Sequence, residues 1–204
     1  MRTTGTSTLV TLCLLGAAAT GAQQPPADPA TQIAAAVTPA PEDLRQGASV
    51  LGYSDDGQLV SLRQGDGDLV CLADNPSDER FHVACYFKQL DPFMARGREL
   101  RAEGKKRDEI VAAREAEIQA GKLEMPSQPT ALYSYTGPRD SFDPETGTVT
   151  GANHVYVVYI PYATAESTGL SATPTTGAPW LMAAGKPWAH IMLVQPAPTE
   201  EAAE

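Results

Sequence analysis

The residues able to do chemistry in this chain are a pair of cysteines beyond the N-terminal leader, three histidines and a late cluster of aromatic rings. His154 opens the run HVYVVYIPY, and His190 sits in AHIMLV. Both runs are β-branched and apolar and read as strands. Alternation puts His154, Tyr156 and Val158 on one strand face, and Trp188, His190 and Met192 on one face of the last strand. If those strands pair, two imidazoles could meet beside Tyr and Trp, an arrangement suited to a metal or a general base. Spacing names no third ligand, so hydrogen-bonded strand histidines are the favoured reading. Tyr133, Tyr135, Tyr156, Tyr159, Tyr162, Trp180 and Trp188 all fall after residue 130. Such a set could form a groove for a sugar chain or an apolar peptide, although core and sheet packing is the ordinary use of these rings. The candidate polar and aromatic patch is therefore His154, Tyr156, Trp188 and His190, with no catalytic set and no metal-ligand set assigned.

Cys71 and Cys85 flank His82 in GDGDLVCLADNPSDERFHVAC. A redox pair would need a spacing such as C-x-x-C, and a zinc site would need four ligands where only His82 is near. The staple reading depends on where the chain goes. It opens MRTTGTSTLVTLCLLGAAATGAQQPP. Arg2, the apolar run over residues 9–19 and Thr20-Gly21-Ala22 read as a signal peptide, residues 1–22, cleaved after Ala22. The run is shorter than the roughly 20 residues of a membrane span. Leu12 before Cys13 departs from a lipidation site. Removal of the leader leaves Cys71 and Cys85 as an even pair in an oxidising compartment, periplasmic or extracellular, and a disulfide is expected. His82 and Asp74 read as loop residues within it, tolerant of replacement by Ala.

The balance of charge narrows the partners. The chain carries 15 Lys and Arg against 25 Asp and Glu, a net charge of −10, and loss of Arg2 with the leader makes it more negative. Such a surface repels nucleic acid and offers no polybasic patch to anionic lipid. No later stretch is long and apolar enough to span a membrane. There is no G-x-S-x-G, phosphate loop, dinucleotide fingerprint, HExxH or haem motif, and no cofactor is expected. GYSDDG at residues 52–57 reads as a hairpin turn, and the Asp-Gly pairs lack the ligand spacing of a calcium loop.

These residues need a frame. Asp28-Pro29 caps a short helix over residues 29–37, followed by a turn at 41–46. ASVLGYS, QLVSLRQ, DLVCLAD and FHVACYF are strand-like runs broken by DDG, GDG and NPSD, and read as an antiparallel meander. Asp91-Pro92 starts a helix ending near Gly104, and Asp108 caps a second that ends at Gly121. TALYSYT, HVYVVYIPY and a last strand follow, separated by long polar loops. The expected fold is α+β: an antiparallel sheet with a two-helix insertion, one domain over residues 41–195. Residues 23–40 form a lead-in and short helix, and 196–204 a disordered tail.

This arrangement resembles a family of exported bacterial proteins of unknown function. The likeness lies in the Ala-Pro-rich helix at residues 36–41, the short strand over 48–52, Gly57, Cys71 and Cys85-Tyr86. It continues in His154, Pro161-Tyr162, Pro179-Trp180 and the GKPWA run at 185–189. It implies export and a single domain and brings no activity. The functional expectation is an exported, non-enzymatic binding or envelope-associated module whose partner is a protein or envelope component. The alternative is a small hydrolase or metal-dependent enzyme using His154 and His190.

Overall fold

Asp28 closes the lead-in and starts the first helix, α1 (Pro29–Ala36): its Oδ1 accepts from the Ala30 and Thr31 amides at 3.0 and 3.2 Å. Pro29 at the first helical position loses no hydrogen bond. The computed structural model describes Met1 and residues 26–198. Apart from Met1, the expected leader over 1–22 lies outside the described residues, as do 23–25 of the lead-in and 199–204 of the tail. Gln32 ties α1 to the first strand, donating from Nε2 to the Tyr53 carbonyl and accepting the Tyr53 amide. A single turn, α2 (Glu42–Arg45), follows, and Arg45 donates to the carbonyls of Thr38 and Ala40.

Four strands come next: β1 (Ser49–Tyr53), β2 (Leu59–Arg63), β3 (Leu69–Leu72) and β4 (Phe81–Phe87). They do not form the expected meander. β1–β2 and β3–β4 are antiparallel hairpins, but β3 pairs in parallel with the other edge of β1. The reason is the connection after β2. A Cβ on Gly65 would stand 2.1 Å from the Gly47 carbonyl oxygen, and one on Gly67 would stand 2.9 Å from it. Two glycines let the chain pass flat against Gly47-Ala48 and enter β3 on the far side.

A 3₁₀ turn at Lys88–Leu90 leads into α3 (Asp91–Ala102), and α4 (Arg107–Gln119) follows. Asp91 is the first helical residue rather than the cap, because the 3₁₀ turn runs directly into the helix. Its carboxylate accepts instead from Tyr86 Oη at 2.8 Å and Arg98 at 3.1 Å. At α4, Glu109 accepts the Lys106 amide, one residue before the helix, so Asp108 is not the cap. Then come β5 (Thr130–Gly137), β6 (Phe142–Asp143), β7 (Thr148–Val149), β8 (Asn153–Tyr159), α5 (Ala165–Thr168), β9 (Trp180–Met182) and β10 (His190–Gln195). The described residues make one domain that mixes five helices with a mostly antiparallel sheet. Its eight-stranded order is β2-β1-β3-β4-β5-β8-β10-β9, with β6–β7 as a separate hairpin inside the expected polar loop. None of the described helices is long and apolar enough to cross a membrane.

The sheet buries its two faces differently. Val70, Tyr86, Leu132, Val157 and Tyr159 project to the side where Leu90, Phe93, Met94 and Ile118 pack from α3, α4 and the turn before them. Val50, Leu69, Cys71 and Cys85 project to the other side, against Ile33, Ala36 and Val37 of α1 and the residue that follows it. Cys71 and Cys85 stand opposite each other in the β3–β4 register and form the disulfide, with Cα atoms 4.0 Å apart. The staple that the cysteine count anticipates is present.

Candidate binding surface

The two late histidines do not meet. β8 and β10 do pair, but His154 stands opposite Gln195 and His190 opposite Tyr159. Five register steps, about 17 Å of strand, separate the two rungs. Residues 154 and 159 also differ by an odd number, so the imidazoles occupy opposite faces of the sheet. Trp188 and His190 lie on the α3–α4 side, while His154 and Tyr156 lie on the α1 side. The four residues of the expected patch are thus divided into two pairs.

His190 is part of a packed rim. Its Nδ1 lies 2.7 Å from the Trp188 carbonyl oxygen. A carbonyl can only accept, so Nδ1 carries the proton and Nε2 keeps a free lone pair. The ring lies 4.9 Å from that of Tyr159, which meets Phe93 edge-on, and Phe93 stacks on Trp188 at 6.3 Å. The Arg114 guanidinium sits 3.9 Å over Phe93. Burial lowers the His190 pKa, which keeps the ring neutral at pH 7, and pushes the Tyr159 phenol up to about 12. One neutral imidazole without an acid partner does not make a general acid–base pair. Among the described residues no group of three or more His, Cys, Asp or Glu side chains is placed to hold a metal.

On the other face the register lines up an aromatic row. Cys71, Cys85, Tyr133, Tyr156 and Leu193 are successive partners across β3, β4, β5, β8 and β10. The neighbouring rows carry Ala131, Val158 and Ile191 on one side and Tyr135, His154 and Gln195 on the other. Tyr133 and Tyr156 meet edge-to-face at 6.3 Å, and His154 lies 4.3 Å from the Tyr135 ring. α1 covers the β1, β3 and β4 part of this face, and Phe142 and Val149 of the β6–β7 hairpin pack, as Tyr135 does, against Ala35, Phe81 and Val83. Beyond that cover, Ala131, Tyr133, Tyr156, Val158, Ile191 and Leu193 are all only half-buried. None of the positions in these rows carries a charge. The sequence shows the tyrosines and, by alternation, Val158 beside Tyr156, but Ile191 and Leu193 join them only through the β8–β10 register, which alternation alone does not supply.

A cavity of about 380 Å³ adjoins this face between the start of α1, the β3–β4 loop and the chain after β5. Phe81 and Phe142 stack at 6.4 Å in its wall. Asp74 and Arg139 form an ion pair inside it. Asp74 also accepts the His82 amide at 2.9 Å, and Arg139 donates to the carbonyls of Asn75, Asp78 and Arg80. Burial raises the Asp74 pKa against the pull of these donors. Asp74 is therefore a clamp on the β3–β4 loop, not the idle loop residue that its neighbours imply. His82 lies in β4 itself, with Nε2 3.0 Å from Ser134 Oγ.

Comparison with family models, with curated proteins and with solved structures finds no match to this chain.

Proposed function

We propose that this protein is an exported, non-enzymatic binding module that engages an envelope component through the open face of β5, β8 and β10. The observation that carries the reading is the uncharged, partly exposed aromatic and aliphatic face itself. It lies on a chain of net charge −10, and mixed apolar patches on such surfaces mark interaction sites. In this reading α3 and α4 are an insertion that seals one side of the sheet and leaves the other to a partner. Export rests on the leader pattern at residues 1–22 and agrees with the Cys71–Cys85 disulfide, a bond that persists outside the reducing cytosol. Separation of His154 from His190 weighs against a hydrolase or metal enzyme built on both.

A photoreactive residue at Val158 or Leu193, introduced in the native host, should form adducts with envelope material. The same residue at Glu79, an exposed loop position away from the face, should not. Equal adduct formation at all three positions, or none at Val158 and Leu193, would remove the support for this surface.

A further inference from the structure

We propose that the occupant of this face is an uncharged polysaccharide chain, a step that rests on the binding-module reading above. The argument begins with charge. The three rows across β5, β8 and β10 hold Tyr, His, Gln and aliphatic side chains and no Asp, Glu, Lys or Arg. An anionic polymer is repelled by the chain as a whole and finds no cation here, and a cationic one finds no carboxylate here. The chemistry of the tips points the same way. Among the described residues, no protein hydrogen bond engages the hydroxyls of Tyr133, Tyr135 and Tyr156 or the ring nitrogens of His154, although each ring is held by a neighbouring ring. A ring held in place with a free donor–acceptor tip suits a ligand that is apolar on its faces and hydroxylated at its edges, as a pyranose is.

Shape agrees. Tyr133 and Tyr156 stand at 87° to one another, so one can lie along a sugar face while the other presents its edge. The row runs across three strands spaced about 4.8 Å apart and can contact more than one sugar unit along a chain. A second copy of the protein would need to bury this face against its own equivalent. Tyrosine hydroxyls and His154 would then have to find partners among the few polar tips of the same face, whereas hydroxyls line both edges of a sugar chain.

The test is affinity electrophoresis of the mature chain through gels holding hydroxyethylcellulose, dextran or glycol chitin, all neutral, or polygalacturonate, which is acidic. At least one neutral polymer should retard the protein, and polygalacturonate should not. Tyr133→Ala with Tyr156→Ala should weaken retardation at least tenfold while leaving the far-ultraviolet spectrum unchanged. Tyr156→Phe, which keeps the ring and removes the hydroxyl, should give a smaller loss. Should the double variant fail to fold, Val158→Arg tests the same surface by adding a charge at the centre of the half-exposed rows. Lack of retardation by all three neutral polymers overturns the proposal, as does retardation that these variants leave unchanged. A doubled mass in light scattering that Val158→Arg abolishes also overturns it, in favour of self-association. Photo-adducts at Val158 without retention on any neutral polymer would reject the polysaccharide while sparing the binding module. Absence of both would reject the two together.

Discussion

His190 shows how burial at a single residue becomes a property of the fold. Its pKa is lowered from 6.5, chiefly by burial, with the Trp188 carbonyl pulling the other way. The unfolded chain therefore takes up the proton first as pH falls. Stability is fully present above about pH 6.5 and declines as pH drops from there toward the folded value. His190→Gln removes this dependence without removing the side-chain volume. The urea midpoint of the native chain should fall between about pH 7 and about pH 5, and that of His190→Gln should fall less. An equal fall in both would show that His190 is as easily protonated in the folded protein as in the unfolded one. His154 and His82 are lowered by the same cause and keep their share of the decline in the variant, so the comparison isolates one residue.

At the scale of elements, glycines decide where strands go. Gly57 sits in the β1–β2 turn with φ of +76°, and a Cβ there would meet nothing within 4 Å. Gly57→Ala therefore meets only backbone strain, about 1–2 kcal/mol. Gly65 is the opposite case, because its missing Cβ makes room for backbone of the Gly47-Ala48 segment. Backbone cannot rotate away as a side chain can, so Gly65→Ala should cost more than Gly57→Ala, roughly 3 kcal/mol or above. Urea unfolding of the two variants decides the order, and a milder Gly65→Ala would mean the crossover can relax. Gly97 plays a softer version of this role. A Cβ there would reach Arg114 Nη1 at 2.9 Å, and that guanidinium is the end of a flexible side chain resting on Phe93.

Across the described residues, one sheet carries α3 and α4 on one side and, on the other, α1 over its β1, β3 and β4 part. The disulfide sits in the same cross-strand row as Tyr133, Tyr156 and Leu193, at the end covered by α1. Its effect belongs to the entire chain, because a cross-link acts mainly by limiting the unfolded ensemble. A loop of about 15 residues corresponds to roughly 3 kcal/mol in that view. Replacing Cys71 and Cys85 together with Ala should lower stability by about 2–4 kcal/mol and leave the sheet in place. Urea unfolding of the variant beside the oxidised parent measures this, and thiol titration of the denatured, unreduced parent should find neither cysteine free. Two reactive thiols per chain would deny the bond.

Much of this protein was legible in its residues alone. Asp28-Pro29, the cysteine pair, the strand alternation and the glycines after the two long helices each act through neighbours a few positions away, or through a count, and the elements they announce are present. Tertiary structure decided the rest. GDG after β2 reads as a hairpin turn because Gly and Asp favour turns. Whether the next strand pairs with β2 or crosses to the far side of β1 depends instead on Gly47, well before it in the chain, at a contact no local rule encodes. Asp74 reads as a free loop residue because its partner, Arg139, is remote in sequence. The same holds for the histidines. Alternation assigns each its face within its own strand, but only the β8–β10 register states that the two faces are opposite and the two rungs far apart. Local propensity determined the pieces, and long-range pairing determined which side chains share a surface.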